Sequence, residues 1–196
     1  MNKNIKGVTQ WIARFLWPTF VVMGWWAVRV ETDLTYRLLV AFLLLASILF
    51  AWWQRRLYLA AVSLVFIGVS SLLVYLQNAG PDGFNLIVSY IVLVYILSVA
   101  CFASFSTYAF KVTEPYITVY LVGVVFMCLE MFWLLSNLSA DPLIRALLVT
   151  GLFHLSFTMV ALYSWGKLAK NNFRWYVIGG VIFFAIFLYQ NPVWQY

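Results

Sequence analysis

Glu130 and His154 are the two residues of this sequence best placed to do chemistry, because each interrupts a long apolar run. An ionisable side chain near the middle of a bilayer costs roughly 3 kcal/mol or more, so it turns toward partners or water and becomes a first candidate for function. At ~1.5 Å of rise per helical residue, the turn between the two runs sets their depths. Glu130 lies seven residues before Asn137, about 10 Å down, and His154 twelve after Pro142, about 18 Å down. Thr150, one turn before His154, is level with Glu130, and Thr150, His154 and Thr158 form an i, i+4, i+8 stripe. On the other run Gly123, Met127, Glu130, Leu134 and Asn137 share a face, with Gly123 permitting close approach.

If the two faces meet, Glu130 hydrogen-bonds Thr150 or, with slight tilt, His154. A carboxyl held in that way can load and release a proton, the step a proton-coupled transporter needs. The plainer alternative is a protonated Glu that fastens two helices together. Arg145 is the candidate pair partner: it either snorkels outward to water or reaches down toward Glu130.

The remaining residues narrow the chemistry. Cys101 and Cys128 are the only cysteines, at about 8 Å and about 20 Å from the opposite membrane face. A disulfide needs Cα atoms within about 7 Å, so both read as buried small hydrophobes. A retinal pigment needs a lysine inside the last apolar run, which has none. A membrane hydrolase of the multi-histidine zinc type needs more than the single histidine present. A transferase acting on diphosphates needs acidic clusters for metal, and one face offers only Glu114. No cofactor or metal is expected, and the chain reads as non-enzymatic.

The elements that must carry these residues follow from composition. Of 196 residues 65% are hydrophobic and only 9% charged, against about 25% charged in a soluble domain. Such a chain cannot cover a water-facing surface. The +6 net charge is scattered over short loops, which excludes a nucleic-acid stripe. A hydrocarbon core ~30 Å thick takes about 20 apolar helical residues. Seven stretches qualify: 12–30, 36–53, 57–77, 84–106, 115–138, 143–165 and 173–190. Lipid offers the backbone no partners, so these are helices. The expected fold is all-α, a single polytopic domain over residues 1–196 with seven transmembrane helices and no soluble domain.

Turn chemistry separates the spans, with Asn78-Ala-Gly-Pro-Asp-Gly after the third and Ser139-Ala-Asp-Pro after the fifth. Pro18 either kinks the first span or marks the true start of its helix. Small-residue contacts at Ala100 with Ser104, and at Gly179-Gly180, read as helix packing.

Orientation comes from the basic residues. With the N-terminus inside, Lys3, Lys6, Arg14, Arg55, Arg56, Lys111, Lys167, Lys170 and Arg174 face the cytoplasm, leaving Arg29, Arg37 and Arg145 outside. Nine against three becomes six against six if the first stretch fails to cross, so seven crossings fit better. The C-terminus is then outside. Trp25-Trp26, Trp52-Trp53, Trp165 and Trp175 fall at span ends, as an interfacial belt requires.

These features describe a multi-pass protein of a prokaryotic plasma (inner) membrane. The first expectation is a non-catalytic subunit or scaffold, partnered by the bilayer and by other membrane subunits or a second copy of itself. The second is a small transporter or channel, proton-coupled through Glu130 and His154. A binder of lipid, quinone or pigment is the third.

Overall fold

The computed structural model describes residues 14–30, 34–54, 57–80, 82–108, 117–137 and 141–164, with Arg174, residues 178–182 and Ala185. All regular structure among them is helical: α1 (Leu16–Val30), α2 (Leu34–Gln54), α3 (Leu57–Ala79), α4 (Gly83–Tyr108), α5 (Ile117–Ser136) and α6 (Pro142–Ser164). Four of these, α3 to α6, are long and apolar enough to cross a membrane. A shorter apolar stretch, Arg37–Leu49, lies in α2. The expected seventh span, 173–190, falls mostly outside the described residues, as do Trp165 and Trp175; residues 178–182 are helical.

The helices group into two compact units, residues 1–109 and 110–196. In the first, α3 is central and packs against α1, α2 and α4. Its run from Leu64 to Val74 is buried without interruption, as expected of a helix that is apolar all round. Gly68 explains the close packing with α4: a Cβ there would lie 2.6 Å from Ile96 Cδ1. Polar pairs fasten the other helices. Thr19 of α1 and Tyr95 of α4 share a hydrogen bond of 2.9 Å, and the Ser47 hydroxyl of α2 donates to Ser63 of α3 at 2.7 Å.

The breaks behave as their residues dictate. The α1 helix starts at Leu16 with Pro18 in its first turn, where a missing N–H costs nothing. Gly80 follows α3 in the left-handed region, φ +85°, and its N–H closes on Leu76 O at 3.0 Å. Asn85 completes that turn. Its Nδ2 donates to Gly80 O at 3.2 Å and Ala79 O at 3.4 Å, and its Oδ1 accepts from the Tyr75 hydroxyl at 2.9 Å.

In the second unit α5 and α6 form an antiparallel hairpin. Ring contact between Tyr120 and Tyr163, centroids 5.5 Å apart, marks one end. A bond from Arg145 to Leu135 marks the other. Leu121, Val124, Cys128, Phe132 and Leu135 of α5 are buried at three- and four-residue spacing. On α6 Arg145, Ala146, Val149, Phe153, Phe157 and Val160 are buried at the matching period. Asp141 caps α6, its Oδ1 accepting from Leu143 N–H at 2.7 Å, with Pro142 in the first helical position.

Candidate intramembrane polar site

The α5–α6 hairpin carries all four residues singled out by sequence: Glu130, Arg145, Thr150 and His154. Their depths follow the helix register, but their directions are set by the buried seam. Cys128 and Phe132 lie on that seam, and at 100° per residue Glu130 falls about half a turn away from it. Its side chain is accordingly exposed. No hydrogen bond or ion pair reaches Glu130 among the described residues.

Thr150 sits on the buried side of α6, and its hydroxyl has no hydrogen-bond partner among the described residues. His154, one turn on, lies on the flank and is exposed. The Thr158 hydroxyl donates to His154 O at 2.7 Å, continuing the polar stripe along the backbone. The hairpin therefore keeps Glu130 off the buried side of α6 that carries Thr150. The physical reason is period: the seam uses positions 128 and 132, which turns position 130 outward.

Arg145 takes neither of the two paths expected of it. Only 5% exposed, it turns sideways, and Nη1 donates to Leu135 O at 3.1 Å. The last four carbonyls of a helix lack intrahelical partners and carry its negative end. A cation from the neighbouring helix satisfies one of them. Asp141, one turn earlier on α6, adds an opposite charge acting on the guanidinium.

The stripe of α5 that contains Glu130 is exposed throughout. Gly123, Met127, Glu130, Leu134 and Asn137 all face outward, as does Tyr120 one step earlier. Gly123 is not in close approach: a Cβ there would meet nothing within 4 Å. Gly180, by contrast, would place a Cβ 3.6 Å from Leu155 Cδ1 of α6, an ordinary packing contact. Ala100 and Ser104 are buried in α4, and Cys101 and Cys128 are both buried and not joined in a disulfide.

Other polar contacts were not foreseen from sequence. Asn85 with Tyr75 belongs to the turn after α3, and an Asn shortly after a Gly-Pro-Asp-Gly break is the signal that could have found it. The Ser47–Ser63 and Thr19–Tyr95 pairs needed knowledge of which helices touch. Trp25 is exposed with the Arg29 guanidinium 4.6 Å above its ring, while Trp26 packs on Tyr75. The side chains of Trp52 and Trp53 lie outside the described residues. No group of three His, Cys, Asp or Glu side chains gathers among the described residues. Comparison with family models, curated proteins and solved structures returned no match for the chain.

Proposed function

We propose that the protein is a non-catalytic subunit or scaffold of a membrane assembly, and that α5 carries its contact face. One observation supports this above the rest. Glu130 lies on an exposed face of a helix long and apolar enough to cross a membrane. Such a group facing lipid is costly, so a protein surface is its natural cover. Three polar contacts fasten helix to helix: Thr19 with Tyr95, Ser47 with Ser63, Arg145 with Leu135. Fastening suits a scaffold better than turnover.

The membrane reading extends to seven spans with the N-terminus inside, the C-terminus outside, and residence in a prokaryotic plasma membrane. Its support is the nine-to-three distribution of basic residues. Proton-coupled transport through Glu130 and His154 is the second reading, and both side chains are exposed on the hairpin. Native mass spectrometry after gentle extraction from the protein's own membrane tests the assembly reading. A defined complex containing this chain and at least one further chain is expected. A lone monomer would overturn it.

A further inference from the structure

We infer that the exposed stripe of α1 is a seat for an anionic phospholipid, with the headgroup phosphate held by Arg29 against the ring of Trp25. The seat belongs to α1, in the other compact unit from α5, and does not rest on the assembly reading above.

The two faces of α1 have opposite environments. Leu16, Phe20, Met23 and Ala27 are buried at steps of four, three and four, toward the helices that α1 packs against. Pro18, Val22, Trp25 and Arg29 follow the same steps on the opposite side, and all four are exposed, with Val21 beside them. Arg14 is exposed two residues before the helix begins. The apolar stripe is therefore bracketed by two arginines.

That bracketing chooses lipid as the occupant. Arg14 and Arg29 are fifteen residues apart in the chain, about 22 Å at helical rise. Stems that snorkel outward at both ends extend this toward the ~30 Å of a hydrocarbon core. The level of Arg29 agrees. Thr19 is joined to Tyr95, next to the Ile96 that meets Gly68, and Trp26 packs on Tyr75 with ring centroids 5.7 Å apart. Hence α1 and α3 run in the same direction. Tyr75 lies four residues before the end of α3, and Arg29 three past Trp26. Arg29 thus stands level with the end of a helix long and apolar enough to cross a membrane, the level of lipid headgroups.

The headgroup chemistry follows from the stacking. The guanidinium sits 4.6 Å from the centre of the exposed Trp25 ring, which fixes its plane and leaves its N–H edge open. That edge matches two oxygens of one phosphate. No ion pair or hydrogen bond reaches Arg29 among the described residues. The other charged groups described at this end of the unit are Arg37 and Asp82. A net negative lipid is favoured, because a zwitterionic headgroup carries its own cation beside the phosphate. Trp25, Val22, Val21 and Pro18 continue from the phosphate as an apolar track for an acyl chain.

Native mass spectrometry of the full-length protein in mild detergent, titrated with phosphatidylglycerol or phosphatidylcholine of matched acyl chains, tests this. Wild type should bind phosphatidylglycerol the more tightly. Arg29→Gln should weaken binding of one phosphatidylglycerol per chain about fivefold, the worth of one basic residue at an anionic surface, and leave phosphatidylcholine unchanged. Trp25→Leu should weaken it about threefold. Arg37→Gln removes a cation from the same end but not from the stripe, and should leave it unchanged. Equal losses in Arg29→Gln and Arg37→Gln, or no loss in Arg29→Gln, would overturn the seat. Displacement of phosphatidylglycerol by equimolar inorganic phosphate would overturn the lipid assignment. Loss of a partner chain from the native complex in Arg29→Gln would mean that protein covers the stripe; that overturns the lipid seat and leaves the assembly reading standing.

Discussion

The guanidinium of Arg145 in α6 donates to the carbonyl of Leu135 in α5 at 3.1 Å, closing the hairpin at its turn. Leu135 is the penultimate residue of its helix, so this carbonyl has no partner further along α5. Arg145 is buried because its charge meets the negative end of that helix while Asp141 acts from one turn away.

Replacing Arg145 with Met keeps the apolar stem and removes the donor. The account expects a loss of about 1–3 kcal/mol, the range for a hydrogen bond from a charged group left unmade. Arg145→Lys should fall in between, since an ammonium keeps the charge but not the planar reach. Reversible unfolding in mixed micelles measures this. Equal stability of Arg145→Met and wild type would mean the bond does not hold the hairpin.

Gly68 predicts a coupled pair. A Cβ would lie 2.6 Å from Ile96 Cδ1, and both residues are buried. Gly68→Leu should cost about 2 kcal/mol through overpacking. Combining it with Ile96→Ala, which opens space at the same point, should recover a large part of that loss. A double-mutant cycle reads the coupling directly. Strict additivity would mean that α3 and α4 do not approach at this glycine.

At the turn after α3, Asn85 holds two carbonyls and a tyrosine hydroxyl together. Asn85→Leu should destabilise by about 1–2 kcal/mol, and Tyr75→Phe by less, since it breaks only one of those bonds. Gly80→Ala should cost roughly 1 kcal/mol, because φ +85° disfavours a Cβ. Hydrogen exchange at the N–H of Gly80 reports all three. Unchanged protection in Asn85→Leu would contradict the latch.

The helices were legible from sequence because lipid leaves few options. Apolar runs bounded by Gly-Pro-Asp-Gly and Ser-Ala-Asp-Pro have to be helices broken at those turns, and at the two turns α3 and α5 end and α4 and α6 begin within about two residues of the expected limits. The register along α5 and α6 was legible for the same reason. Direction was not. In a helix that is apolar all round, no polar face marks the inside, so the seam of α5 through Cys128 and Phe132 could not be told from the stripe through Glu130. Glu130 can meet Thr150 or His154 only if its face is the one turned to α6, and the period of the seam turns that face outward. Arg145 escaped for a different reason: its acceptor is a backbone carbonyl, which no residue type advertises.

The central proposal is that the protein acts as one subunit of a membrane assembly, contacted through the α5 face that carries Glu130. Native masses of wild type and Glu130→Leu, each extracted gently and in parallel, test it most directly. The account predicts a defined complex with at least one further chain for wild type and loss of that complex in Glu130→Leu. A monomeric wild type, or an unchanged complex in Glu130→Leu, would contradict it.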